Sequence, residues 1–284
     1  MNLQALRDHR FATLKATYTD KDTMLYALSV GAGLDPLNEK DLGLVYEGKL
    51  SALPSMAAVL AHPGPWITQP QFAVNFVKLL HGEQNLRVHR PLPAQGELQA
   101  NYKVTAVQDK GEGKGALVFF EKQLTDAKSN ELLCTVSSTL FCRGDGGSGS
   151  FGTPPEALSP APAGEMQPIG ELKTDRRAAL WYRLNGDRNP IHVDPRIAVK
   201  AGFKEPILHG LCTYGVVGYL IVRDVCGYDT SKLLTLDARF SSPVMPGESI
   251  RLDGQRTADG LFFQAVVPER NQVVMSQGFA RIAA

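Results

Sequence analysis

The sequence predicts an α+β protein built from one unit used twice, each copy an antiparallel sheet packed against a long helix. Three observations carry this expectation. A helix-forming segment recurs, a turn motif at a strand entrance recurs, and a stretch rich in Gly, Ser, Pro and Ala separates the two copies.

The first recurrence is Thr19-Asp20-Lys21, then Leu25-Tyr26, Leu28 and Gly31, matched by Thr174-Asp175-Arg176, then Leu180-Trp181, Leu184 and Gly186. A threonine opening a run with helical apolar spacing reads as a capped helix, and the glycine as its stop. The second is Gln95-Gly96-Glu97 against Pro246-Gly247-Glu248, a tight turn leading into a strand. Strand-like segments follow each: Leu98 to Val107, Ala116 to Leu124 and Leu132 to Phe141, then Ser249 to Gln255, Leu261 to Val267 and Val273 to Ile282. The long apolar helix of each half is expected at Leu53 to Ala61 and, more clearly, at Gly210 to Cys226. Residues 144–168, with the run Gly144-Asp145-Gly146-Gly147-Ser148-Gly149-Ser150, hold too little apolar surface to fold alone. The expected organisation is therefore residues 1–143, a linker over 144–168, and residues 169–284. That pattern suits two fused hot-dog units, two antiparallel sheets each wrapping a long helix and able to join side by side.

Composition narrows the function. The apolar fraction is 43%, the charged fraction 21% and the formal net charge +1, which excludes a binder that works by neutralising many nucleic-acid phosphates. The most apolar run, Gly215 to Val225, is interrupted by Arg223 and Asp224, so no membrane span is expected. Met1 to Ala12 lacks a secretory core, and Arg281-Ile282-Ala283-Ala284 is not a Ser-Lys-Leu address, so the expected compartment is the cytoplasm. Cys134, Cys142, Cys212 and Cys226 form no Cys-x-x-Cys pair and are expected as buried free thiols.

The densest chemistry is Asn185-Gly186-Asp187-Arg188-Asn189-Pro190-Ile191-His192. A carboxylate and an imidazole held close on one loop can share a water and move its protons. An architectural reading competes with this: a helix stop followed by an Asx-turn needs similar residues. The repeat separates the two. Continuing its register past Gly31 sets Ala32 opposite Asp187, Asp35 opposite Pro190 and Leu37 opposite His192. The scaffold occurs in both halves and the acid and base in one, which favours function.

Gly186-Asp187-Arg188-Asn189-Pro190-Ile191-His192, then Gly202-Phe203, then Pro206-Ile207-Leu208-His209-Gly210-Leu211-Cys212, resembles the signature of the hydratase 2 (MaoC-like) family. The first half resembles that family's two-domain, eukaryotic-type form through Tyr26 to Gly33 and Leu80-His81-Gly82-Glu83-Gln84. Arg239 to Glu248 also fits. The resemblance implies a hydro-lyase in fatty acid metabolism that adds water, syn, to a trans-2-enoyl-CoA and yields the (3R)-hydroxyacyl-CoA. It implies that Asp187 and His192 activate the water, that Asn189 orients the site, and that the Gly210 N–H binds the thioester oxygen. A helix N-terminus suits that last role, because its N–H groups are unpaired and its dipole is positive. No cofactor is expected. The expected partner is an acyl-CoA thioester, and the family resemblance points to a homodimer.

His209 reads as a structural histidine. A metal on Asp187, His192 and His209 lacks the support of a His-x-x-x-His or cysteine set. With its acid and base lost and small residues at Ala32 and Gly33, the first half is expected to house the acyl chain, lined by Leu53 to Ala61 and Phe72 to Leu80. Arg87, Arg90, Lys200 and Arg239 are unranked candidates for the CoA phosphates. The competing functions are a related dehydratase of another CoA or carrier-protein thioester, a non-catalytic acyl-CoA binder, and a thioesterase on the same fold.

Overall fold

The computed structural model describes all 284 residues. The first half contains α1 (Leu3–Asp8), β1 (Leu14–Tyr18), α2 (Asp20–Ser29), α3 (Leu42–Val45) and strands β2 (Leu79–Val88), β3 (Gly96–Asp109), β4 (Ala116–Asp126) and β5 (Leu132–Cys142). The second contains β6 (Gln167–Lys173), α4 (Ala178–Tyr182), α5 (Pro195–Lys200), α6 (Gly210–Asp224), then β7 (Thr235–Phe240), β8 (Ser249–Arg256), β9 (Leu261–Val267) and β10 (Gln272–Ala280).

The strands form one antiparallel sheet in the order β1-β3-β4-β5-β2-β7-β10-β9-β8-β6. Read inward from either edge the order is the same, so the duplication expected from sequence is a duplication of topology. The halves join at β2 and β7, where Leu86 lies opposite Leu236 and Asn85 opposite Asp237. The double hot-dog expectation holds, with its two sheets fused edge to edge. Sequence reading placed β3, β4, β5, β8, β9 and β10 and missed β1, β2, β6 and β7. The seam strands carry polar residues inside the sheet: Gln84 is buried, donating to Ser137 O and accepting from Ser138 Oγ.

The long helix α6 lies in the cup of the sheet, buried without a break from Cys212 to Val222. Two of its glycines let the first half approach. A Cβ on Gly215 would stand 2.6 Å from Val30 Cγ1, and one on Gly218 would stand 3.0 Å from Ser55 Oγ. A single core therefore spans both halves, while Leu6, Trp66, Ile67 and Phe72 make a smaller cluster with β3, β4 and β5.

The first half departs from expectation. Leu53 to Ala61 is not a long helix but a five-residue 3-10 helix, Pro54–Ala58. Pro54 can open a helix, but Pro63-Gly64-Pro65 stops one from continuing, and Ala61 turns the chain with φ 50°. The repeated segment also diverges. Thr19 caps α2 as read from sequence, and the structure shows Asp22 completing a capping box with it. Thr174 instead accepts from Gly247 N–H and donates to Glu248 O, and the shorter α4 begins after Arg177.

Within 144–168, the Gly147 and Gly149 N–H groups donate to the Asp109 carboxylate, and Phe151 bridges Val107. Gln167 and Pro168 already belong to β6. No helix is long and apolar enough to cross a membrane. The four cysteines are free and buried, as expected.

Candidate active site

The loop after α4 is built by successive side-chain turns. A 3-10 turn, Arg183–Asn185, ends at Gly186 with φ 121°. Asp187 Oδ1 accepts from Asn189 N–H at 3.1 Å, and Asn189 Oδ1 accepts from Ile191 N–H at 3.2 Å. The second bond caps the turn Pro190–His192 and fixes where the imidazole emerges. Asn189 thus supports His192, and its amide nitrogen stays free to donate to a ligand.

His192 is 9% exposed, and its Nδ1 lies 2.9 Å from Ile207 O. A carbonyl only accepts, so Nδ1 carries the proton and the neutral ring presents Nε2 as an acceptor. Burial lowers its pKa from the usual histidine value, against the opposing pull of the Ile207 carbonyl and the Asp187 charge. The ring is therefore a neutral base at physiological pH. The Asp187 side chain lies on the exposed surface of the loop.

His209 is almost fully buried, with Nε2 3.3 Å from the Asp187 carbonyl, so it ties the Asp187–His192 loop to the start of α6. Burial and the neighbouring His192 push it down to about 4. The two imidazoles stack with centroids 3.7 Å apart and planes 26° from parallel. Ligand atoms of Asp187, His192 and His209 all lie within 4.8 Å of one another. Face-to-face rings, however, send their in-plane lone pairs side by side rather than toward one point, which suits a shared water better than a tetrahedral or octahedral ion.

Gly210 opens α6 and is exposed. Its N–H has no intrahelical acceptor, because no helical turn precedes it; the first bonds of the helix run from the Cys212 and Thr213 N–H groups to His209 O. A Cβ there would stand 3.4 Å from the Phe240 ring. Phe240 in turn packs on His81, centroids 4.8 Å apart, so the mouth of the site is shared between the halves. His62 and His81 both feel the Asp187 charge. His81 lies on β2, whereas His209 stands at a helix start, so the two histidines are not copies of one another. The place of His81 beside Phe240 follows from the β2–β7 seam, which no local pattern signals.

Two sequence assignments are corrected. Arg239 is not a free cation, since it pairs with Glu83 across the seam at 2.6 Å. The register between the copies shifts by one residue. Tyr26 and Tyr182 are both buried with rings 6.2 Å apart, and Asn185 Nδ2 donates to Ser29 Oγ at 3.0 Å. Ser29 and Asn185 each end their helical segment. Gly31 therefore stands opposite Asp187 and Pro36 opposite His192, in place of Ala32 and Leu37. The first half still lacks both groups, and Leu172 of β6 packs where a side chain on Gly31 would go.

An apolar cavity of about 170 Å³ borders this vacated position, lined by Leu28, Ala32, Gly33, Trp181, Cys212 and Val216 among others. It adjoins a wider, more polar cleft of about 960 Å³ that includes Gly31, Asp35, Arg176 and Tyr219. Neither contains Asp187, His192 or Gly210, and neither includes any residue of Leu53 to Ala61 or Phe72 to Leu80, the lining expected from sequence. Ser29 lines the smaller cavity and is bonded to Asn185, two residues before Asp187.

Residues 16–144 match the family model described as MFE-2 hydratase 2 N-terminal domain, and residues 159–277 match the MaoC like domain. The chain is 40% identical over 247 residues to 3-hydroxyacyl-thioester dehydratase Y of Mycobacterium tuberculosis, covering 86% of this chain and 83% of that protein. It is 34% identical over 291 residues to "Enoyl-CoA hydratase 2, peroxisomal" of Arabidopsis thaliana, covering 97% and 94%. Among solved structures, a MaoC-like dehydratase from Phytophthora capsici superposes with a TM-score of 0.86 at 35% identity, covering 100% and 99%. The chain spans only 37% of the mouse peroxisomal multifunctional enzyme type 2, to which it is 34% identical.

Proposed function

The chain belongs to the hydratase 2 (MaoC-like) family, and from that premise we propose that it is an (R)-specific 2-enoyl-CoA hydratase acting reversibly on trans-2-enoyl-CoA. The observation that carries the reading is a carboxylate and a neutral imidazole acceptor brought together with His209, which directly precedes the free helix-terminal N–H of Gly210, in one half of a duplicated fold.

The thioester carbonyl sits against the Gly210 N–H, where the α6 dipole favours negative charge. Water lies between Asp187 and His192. As its oxygen bonds to C3, one proton leaves to His192 Nε2 and electron density moves through C2 to the thioester oxygen. C2 then receives a proton from the Asp187–His192 pair, so one water is added in all. With both groups on one side of the double bond the addition is syn, and the (3R) configuration is the one the family resemblance implies.

The first half takes the acyl chain on this reading. The cavity at Ala32 and Gly33 is comparable to an engineered cavity of about 150 Å³ that admits benzene. The active form is read as a cytoplasmic homodimer, an expectation carried over from the sequence. The test is incubation with crotonyl-CoA and a 2-decenoyl-CoA, following both the enoyl absorbance and free thiol. Loss of absorbance without thiol release is the expected result. Thiol release makes the protein a thioesterase, and binding without turnover makes it an acyl-CoA binder.

A further inference from the structure

Eight buried side-chain polar atoms lack a hydrogen-bond partner, and four of them share one belt between the halves: Ser55 Oγ, Tyr26 Oη, Tyr182 Oη and His209 Nδ1. All four residues are 1% exposed. The Ser55 and Tyr26 hydroxyls face the notch that Gly218 and Gly215 leave on α6, where a Cβ would stand 3.0 Å from Ser55 Oγ and 2.8 Å from Tyr26 Oη. The rings of Tyr26 and Tyr182 are 6.2 Å apart, and those of Tyr182 and His209 5.0 Å. His209 in turn stacks on His192. The belt therefore runs from the middle of α6 to the imidazole that takes the proton, and the proposed chemistry uses neither tyrosine.

Its two ends are complementary. With its pKa pushed down to about 4, chiefly by burial, His209 is neutral and carries one ring N–H. Nε2 faces the Asp187 carbonyl, which only accepts, so the proton sits on Nε2 and Nδ1 is a bare acceptor. Burial, followed by the charges of Tyr26, Cys212 and Asp187, holds the Tyr182 hydroxyl well above the usual tyrosine pKa, so it keeps its proton and is a donor. A buried donor and a buried acceptor are costly when left unpaired. One water between them satisfies both, and the Tyr26 and Ser55 hydroxyls offer the further polar partners that a buried water takes.

We propose that Tyr182 is a positioning residue: through a bound water anchored also by Tyr26 and Ser55, it donates to His209 Nδ1 and so locks the tautomer whose Nε2–H holds the Asp187 carbonyl. This deepens the hydratase reading above and rests on it. In the other tautomer Nε2 turns a lone pair toward that carbonyl, and the tie between the Asp187–His192 loop and α6 becomes a repulsion. The loop then loosens beneath the two groups that move the protons, so turnover suffers more than ligand binding.

The experiment reads the His209 tautomer directly, by nitrogen-15 NMR of histidine-labelled protein with the ring signals correlated to the backbone. In the wild type we expect a protonated Nε2 and a hydrogen-bonded, unprotonated Nδ1. A wild-type His209 with its proton on Nδ1 overturns the proposal without any variant. Tyr182→Phe removes only the hydroxyl and should turn the single tautomer into a mixture. It should also lower kcat on crotonyl-CoA about tenfold, with KM and the Kd for unreactive butanoyl-CoA kept within about threefold. Tyr26→Phe, one step farther along the belt, should act in the same way and more weakly. A folded Tyr182→Phe that keeps the wild-type tautomer overturns the lock even if kcat falls, because the fall is then a packing effect. One that shifts the tautomer and keeps kcat overturns the positioning role. If Tyr182→Phe does not fold, Tyr26→Phe decides by the same two readouts. Wild-type protein that neither turns over crotonyl-CoA nor binds butanoyl-CoA overturns the functional reading instead, a separate result because the tautomer is measured without substrate.

Discussion

Replacing Asp187 by Asn tests the proposed chemistry with the least structural disturbance. The side chain is exposed, and its one protein bond accepts from the Asn189 N–H. An amide oxygen can keep that bond, and the His209 contact is to the backbone carbonyl, which is unchanged. Stability should therefore stay within about 0.5 kcal/mol of wild type, as for most exposed substitutions. What is lost is a proton-transfer group and a negative charge beside His192. A positioned acid or base typically contributes ~10²–10⁴ in rate, which corresponds to about 3–5 kcal/mol on the barrier. Turnover of crotonyl-CoA, followed by its enoyl absorbance, should fall by that range while butanoyl-CoA binding by calorimetry changes by less than about threefold. Activity within a few-fold of wild type, in a variant that melts normally, would refute the assignment of Asp187.

His192→Gln should lose a comparable ~10²–10⁴ in rate. In the wild type, burial lowers the His192 pKa below 6.5, so the base is neutral above that value and kcat/KM falls only as pH drops beneath it; a profile whose acid limb lies well above pH 6.5 would count against His192 as the base. Ala32→Leu should fill much of the cavity of about 170 Å³ and cut kcat/KM for 2-decenoyl-CoA by about tenfold while sparing crotonyl-CoA. Overpacking costs about 1–3 kcal/mol, so melts accompany the kinetics, and equal loss on both substrates would place the chain elsewhere. Gly210→Ala keeps the N–H but brings a Cβ to 3.4 Å from Phe240. The expected result is a raised KM and about tenfold lower kcat/KM with an unchanged melt; unaltered kinetics would remove Gly210 from the thioester site.

The duplication, the strands β3 to β5 and β8 to β10, the long helix α6 and the Asp187–His192 loop were all legible in the sequence. Each is a local pattern: strand segments bounded by turns, apolar residues with helical spacing, polar residues crowded between Gly186 and Pro190. The asymmetry of the halves was legible too, because it is a comparison of residue types. Tertiary structure decided what depended on distance along the chain. The seam strands β2 and β7 carry weak patterns, since their burial comes from each other and from α6, and so His81 reached Phe240 unannounced. The one-residue register error arose because glycines that end two helices align in sequence, whereas packing aligns the rings of Tyr26 and Tyr182. The first-half helix failed because Pro63-Gly64-Pro65 ended it early, and its exposed carbonyls were taken up by Lys122, about sixty residues away. Local periodicity specifies which face of a segment seeks burial. Which group completes a buried hydrogen bond is set only when the sheet has closed and brought strands far apart in sequence into register.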